Sequence, residues 1–254
     1  MASTSGTSPS SGNRRADATR RIGQYQLFEE IGRGAGGVVY RALDNMDRDL
    51  AIKELPLSQV RRGELGLPRL APDEILEARK RFVNEARAVG KLKHPNIVTV
   101  HEFIEEPDSL YLVMEFVPGG SLHKLIGGET PPTTGEALGI VCQVAAALDH
   151  AHSNGIVHRD IKPGNILVSG RVVKVTDFGI ARIISSETMT LTGVVLGTPA
   201  WMAPEQISGS EADAKADQFS LGVVAYQLFG RKLPFAASDY RALMFQIVTR
   251  DNQC

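Results

Sequence analysis

The chain has 254 residues, 43% of them apolar and 22% charged, with a formal net charge of −1. That balance suits a globular protein with a substantial core, and it offers no electrostatic footprint for nucleic acid or an anionic membrane. Cys142 and Cys254 form no C-x-x-C pair, no apolar run reaches the length of a membrane span, and the first residues contain no hydrophobic signal region, so a reducing, cytoplasmic setting is expected.

Residues 1–21, MASTSGTSPSSGNRRADATRR, pass from Ser, Thr and Gly to four arginines against one aspartate. Nothing there can form a core, which predicts a disordered, locally basic tail with ordered structure starting near Tyr25. Three successive antiparallel strands are expected at 25–29, 37–41 and 49–53, and two more at 97–104 and 110–116, around the turn Glu106-Pro107-Asp108. Between the two groups, 73–91 reads as a helix with Phe82, Glu85, Ala86 and Val89 on one face. The connection 55–72, with three prolines and Arg61, Arg62 and Arg69, reads as an inserted loop.

After Pro118-Gly119-Gly120 the pattern becomes mainly helical. Thr133-Thr134-Gly135-Glu136 matches a capping box that opens a helix through about Ser153, with Ala137, Val141, Val144, Ala145 and Leu148 as the expected buried stripe. Residues 219–229 are apolar almost all round, as in a helix inside a helical lobe, and 239–248 form an amphipathic stretch. No internal repeat is present. The division is a tail at 1–21, a strand-rich lobe at 22–117 and a helical lobe at 118–254, with the hinge between Glu115 and Val117.

The residues that carry chemistry lie in His158-Arg159-Asp160-Ile161-Lys162-Pro163-Gly164-Asn165 and, twelve residues later, Asp177-Phe178-Gly179. Phosphoryl transfer from a metal nucleotide needs this set: an acid to orient a hydroxyl, a cation for the moving phosphate and oxygen ligands for Mg²⁺. Upstream, residues 32–39 fit G-x-G-x-x-G-x-V, a weak signal alone. Because Val38-Val39-Tyr40 continues as a strand instead of a helix, the glycines read as a hairpin over phosphates. Lys53 alone would be a surface lysine at a strand end. Glu85, aimed at a core between Phe82 and Val89, needs a partner, and Lys53 is the natural cation. His158 and Phe178 read as packing residues, Phe178 stacking with His158, Val89 and Val100. Arg159 reads as an ion pair with Asp160 or as a clamp for phosphate, and Asp217 as a helix N-cap.

Taken in order, these motifs resemble the eukaryotic-type protein kinases, and the phrases at 34–40 and 155–165 look most like the bacterial serine/threonine members. The resemblance implies an α+β, two-lobed fold: an antiparallel five-stranded N-lobe sheet with a helix, over a mainly helical C-lobe. It implies ATP and Mg²⁺ (or Mn²⁺) as cofactors and transfer of the γ-phosphate to Ser/Thr hydroxyls of protein substrates. Asp160 would orient the hydroxyl, Lys162 would neutralise the transferring phosphoryl group, and Asn165 with Asp177 would hold the metal ions. Lys53 would hold the α- and β-phosphates while paired to Glu85, and Thr198 would bond to Asp160 and Lys162. The nucleotide site would comprise Ile31, Gly32, Arg33, Gly34, Ala35, Gly36, Gly37, Val38, Val39, Ala51, Lys53, Met114, Glu115, Val117 and Leu167. In it, the backbone at Glu115 and Val117 would meet the adenine edge, with Met114 behind.

Residues 177–205 would be the activation segment, with Thr190 and Thr192 as candidate phosphosites clamped by Arg159. Self-association for trans-autophosphorylation is expected, nucleic acid is not, and Asp217 gains a second reading as an anchor for the catalytic-loop backbone. A kinase-fold binding module remains the alternative. A small-molecule phosphotransferase is disfavoured by the hydroxyl-rich segment and by Lys162 two residues after Asp160. The family continues past the position of Cys254 with helices that include an arginine partner for the glutamate at Glu205. The C-lobe therefore reads as incomplete, with reduced stability and activity expected.

Overall fold

Alternating apolar and polar residues build the first lobe. A computed structural model describes residues 20–34, 37–57, 71–178 and 199–249. Six antiparallel strands, β1 (Arg20–Ile22), β2 (Tyr25–Gly34), β3 (Gly37–Leu43), β4 (Asp49–Pro56), β5 (Val100–Glu105) and β6 (Ser109–Glu115), lie in the order β1-β2-β3-β4-β6-β5. Strand β6 is buried on both faces. Leu110 and Leu112 pack with Leu55, Phe82 and Ala86 under the helix α1 (Pro72–Val89), whereas Tyr111 and Val113 face Leu27, Ala42 and Ile52. The two-residue period of a strand assigns these side chains to opposite faces, and each fully buried Leu or Phe contributes about 1.5–3 kcal/mol.

Three expectations change here. The sheet has six strands, and the first of them, β1 at Arg20–Ile22, lies ahead of Tyr25. Ile22 is buried with Tyr25 and Leu27, and the Arg20 guanidinium lies 2.9 Å from the Glu54 carboxylate, which is itself buried. A buried carboxylate requires donors; Ser109, Tyr111 and Arg20 supply them. The last arginines of the basic leader therefore belong to the sheet. The strand expected at 97–104 starts only at Val100, because Ile97 instead bridges Val175 in the other lobe.

The second lobe contains α2 (Leu122–Ile126), α3 (Thr134–Ser153), α4 (Pro204–Ile207), α5 (Ala214–Gly230) and α6 (Tyr240–Thr249). The capping box of α3 is formed: Thr133 Oγ1 accepts from the Glu136 N–H, and the Glu136 carboxylate accepts from the Thr133 N–H. Its buried face is Ala137, Ile140, Val144, Ala147, Leu148 and Ala151, so the expected stripe was rotated: Ala145 is exposed and Val141 lies at the edge. Helix α5 is not buried all round, since Tyr226 and Phe229 are exposed. Its N-cap is Asp213, whose carboxylate accepts from the Lys215 N–H at 2.8 Å, so Asp217 is not the cap.

A small sheet of β7 (Gly120–Ser121), β8 (Ile166–Ser169) and β9 (Val172–Val175) was not anticipated, although Ile166-Leu167-Val168 and Val172-Val173 carried its β-branched signal. This hairpin lies between the catalytic loop and Asp177 in the chain and sets their separation. No helix among the described residues is long and apolar enough to cross a membrane.

Candidate active site

The loop at 158–165 rests on a buried carboxylate. Asp217 has no exposure, and its oxygens accept the His158 N–H at 2.8 Å and the Arg159 N–H at 2.7 Å, with His152 Nε2 also 2.8 Å away. The second reading of Asp217, as an anchor for this loop, matches its position. Arg159 has φ +65 and Asp177 φ +63, conformations that cost a non-glycine residue about 1–3 kcal/mol each unless the surroundings hold them. His158 helps to do so: its Nδ1 accepts the Asp160 N–H at 3.2 Å, which leaves Nε2 to donate to the Thr176 carbonyl at 2.9 Å. Its ring lies 4.6 Å from that of Phe178, in a core that also holds Val89 and Val100. The packing reading of both residues fits.

Above this floor the Asp160 carboxylate meets two donors. Lys162 Nζ lies 2.7 and 2.9 Å from its two oxygens, and Asn165 Nδ2 lies 2.8 Å from Oδ2 and 2.8 Å from the Asp160 carbonyl. Arg159 forms no ion pair with Asp160; its Nε reaches the Ala212 carbonyl at 3.3 Å. By spending Nδ2 on Asp160, Asn165 leaves its Oδ1 as the amide's accepting end.

Lys53 is buried, so it is not a surface lysine. Its ammonium lies 2.7 Å from Asp177 Oδ1. Glu85 is half-buried on α1 and is not without a partner. Beside the expected pairing with Glu85, the structure gives the Lys53 ammonium a second carboxylate, Asp177, two residues past the end of β9. Burial works against the Asp177 charge, yet the Lys53 ammonium and its hydrogen bond, with smaller contributions from His158 and Lys162, hold the carboxyl below the usual aspartate range.

Between the lobes, Ala51, Val98 and Met114 form a buried apolar cluster against which Val39, Phe116, Val117 and Leu167 pack. Val38 is buried, Ile31 is exposed at the mouth, and Arg33 is exposed in an ion pair with Glu30. Gly32 and Gly34 face open space or only the Val39 side chain. Gly37 differs: with φ +110, an added Cβ would lie 2.0 Å from the Glu54 carbonyl, so only glycine fits beside β4. Ala35, Gly36, Thr190, Thr192 and Thr198 lie outside the described residues. Glu205 is half-buried on α4, as expected, and carries no ion pair among the described residues.

Sequence reasoning missed two contributors. His152 supplies Asp217 with its side-chain partner, and only its place in the last turn of α3 hinted at that. The Glu115 carboxylate accepts from Lys174 Nζ at 3.0 Å and from the Thr99 N–H at 3.2 Å, and nothing in the strand pattern marked Lys174.

The Protein kinase domain family matches residues 25–253. The serine/threonine-protein kinase PrkC of Bacillus subtilis is 41% identical over 218 residues, covering 85% of this chain and 32% of PrkC. PknA of Mycobacterium tuberculosis is 39% identical over 221 residues, covering 84% of this chain and 48% of PknA. The chain thus spans between about a third and a half of these curated relatives. Among solved structures, Rad53 1-466 in complex with AMP-PNP aligns with a TM-score of 0.69 and 30% identity, over 89% of this chain and 53% of Rad53.

Proposed function

Because the chain belongs to the protein kinase family, we propose that it transfers the γ-phosphoryl group of ATP to serine and threonine hydroxyls of protein substrates. The observation that carries this reading is the Asp160 carboxylate held between Lys162 and Asn165 on a loop anchored from below. Asp160 orients the substrate hydroxyl and takes its proton as the oxygen attacks the γ-phosphorus. The bond to the β,γ-bridging oxygen breaks, and ADP leaves. Lys162 faces the charge that develops on the transferring group. Lys53, at the end of the apolar slot, meets the α- and β-phosphates, and the backbone of Glu115 and Val117 meets the adenine edge.

The donors suit Mg²⁺. Asn165 offers an amide oxygen and Asp177 a carboxylate kept ionised by Lys53, both hard oxygen ligands. Asn165 and Asp177 would hold the ion together with nucleotide phosphate oxygens. Bound there, the cation neutralises phosphate charge. A cytoplasmic location accords with this use of ATP. Thr190 and Thr192 are the proposed acceptors of self-phosphorylation, reached in trans by a second copy, with Arg159 as the clamp.

Incubation with labelled Mg-ATP and a generic protein, followed by acid hydrolysis, tests the reading. Label in phosphoserine and phosphothreonine is expected. Label confined to phosphotyrosine, or none, would refute it. Mass spectrometry of the chain after the same incubation should place phosphate on Thr190 or Thr192, and an unmodified segment in an active enzyme would remove the self-phosphorylation part.

A further inference from the structure

The hinge side of the nucleotide slot is tied to the metal-binding side through a contact that the transfer chemistry does not use. Strand β9 ends at Val175, two residues before Asp177, and its Lys174 side chain crosses to Glu115, the last residue of β6. Lys174 Nζ lies 3.0 Å from Glu115 Oε2 and 3.4 Å from the Ile97 carbonyl. The same carboxylate oxygen accepts the Thr99 N–H at 3.2 Å, while the Glu115 N–H donates to the Thr99 carbonyl at 2.9 Å. The stretch between is zipped to β9: Val98 N–H donates to the Val175 carbonyl at 2.9 Å, and Val175 N–H to the Asn96 carbonyl at 2.8 Å. Thr176 continues the path, its N–H donating to the Asn165 carbonyl at 3.0 Å and its carbonyl accepting from His158.

We propose that Lys174 is a positioning residue that locks the adenine-binding hinge to the strand leading into Asp177 through the Glu115 carboxylate. The inference rests on the kinase reading. The bland account, an exposed surface pair worth at most about 1 kcal/mol, fits poorly, because the Lys174 side chain is only 14% exposed and Glu115 30%. The pair also has fixed neighbours, since Thr99 holds the carboxylate from the N-lobe side and Ile97 faces the ammonium. Nucleotide held at one end by hinge backbone and at the other by Asp177 needs a set distance between them. With the ion pair in place, that distance is set before binding. Without it, the hinge and β9 keep only backbone bonds, and part of the binding energy goes into aligning them. The effect belongs to nucleotide affinity instead of the transfer step, because Lys174 touches neither Asp160 nor Lys162.

The test compares wild type, Lys174→Met, Glu115→Gln, the double variant and Lys174→Arg, with ATP-dependent rates and binding of a non-hydrolysable ATP analogue measured on each. Either single change should raise the KM for ATP and the analogue Kd about three- to tenfold, and in Lys174→Met kcat should stay within about twofold. The double variant should be no worse than the poorer single one, and Lys174→Arg should restore most of the affinity. Unchanged KM and Kd in both single variants would overturn the proposal, as would a lower melting temperature with unchanged affinity, which marks a purely structural role. Additive losses in the double variant would also overturn it, because they show two independent effects. Wild-type protein that binds no adenine nucleotide would overturn the kinase reading and this inference with it, whereas tight wild-type binding with insensitive variants defeats this inference alone.

Discussion

Asp160 and Lys53, the proposed transfer and phosphate-binding residues, belong to opposite lobes, and their surroundings differ. The Asp160 loop is fixed from beneath by Asp217, which is fully buried and accepts two backbone N–H groups, and by His158, whose ring ties Asp160 to Thr176. Lys53 is fixed by its place in β4, but its ammonium has Asp177 as partner, and Asp177 is also the proposed metal ligand. The proposed transfer half of the site is therefore held by bonds within its own lobe. The proposed nucleotide half is built on a pair whose two members are both proposed to meet the ligand. Damage to the first should be severe and independent of nucleotide. Damage to the second should depend on what is bound.

The largest expected effect follows removal of the buried anchor. Asp217→Ala leaves the N–H groups of His158 and Arg159 without their acceptor and should cost about 3–5 kcal/mol of stability, read as a lowered urea midpoint, with turnover lost along with it. A variant of wild-type stability and activity would show that the loop holds itself. Next, Lys53→Met should lower turnover on the order of 10²-fold at saturating Mg-ATP, by removing a cation aimed at the phosphates. Glu85→Gln sharpens the comparison. With Lys53 on Asp177, it should cost less than about tenfold, and a loss equal to that of Lys53→Met would show that the productive state uses the Lys53–Glu85 pair.

Acid titration tests the same pair. The Asp177 carboxyl titrates below its ordinary value in the fold, so its contribution to stability is present above the ordinary aspartate range and lost as pH falls through the folded value. The stability advantage of wild type over Lys53→Met should shrink as the solution is acidified, and a pH-independent difference would remove the ion pair as its cause. The smallest effect lies in the N-lobe at high pH. Burial beside Glu54 pushes the Tyr111 hydroxyl from 10.0 up to about 12, so stability present below pH 10 should fall as pH rises toward 12. In Tyr111→Phe that part of the slope should vanish; an unchanged slope would assign it to other groups.

Much of the site was legible because its motifs are short and their local structure is set by near neighbours. The glycine hairpin could be separated from a strand-to-helix turn by Val38-Val39-Tyr40, and His158 and Phe178 could be read as packing partners from their residue types. What was not legible depended on distant partners. Arg20 looked like part of a solvated basic leader until the buried Glu54 gave it a reason to pair with the sheet. Asp217 sits in the first turn of α5, where a capping reading is natural, but the cap is Asp213 and the loop needing Asp217 lies far back in the chain. The α3 stripe failed because two faces of a helix rich in alanine and valine differ little in pattern; packing against β9 and α5 chose between them. For Lys53 the sequence offered Glu85 as partner, and only the three-dimensional arrangement brings Asp177 to its ammonium as well.

The central claim, that one lobe holds nucleotide while the Asp160 loop performs transfer, is tested most directly by Asp160→Asn, with Mg-nucleotide affinity and turnover measured on the same preparation. Affinity within about twofold of wild type, with turnover reduced on the order of 10²–10⁴, is the predicted result. Turnover near the wild-type rate, or affinity that collapses in step with turnover, would contradict it.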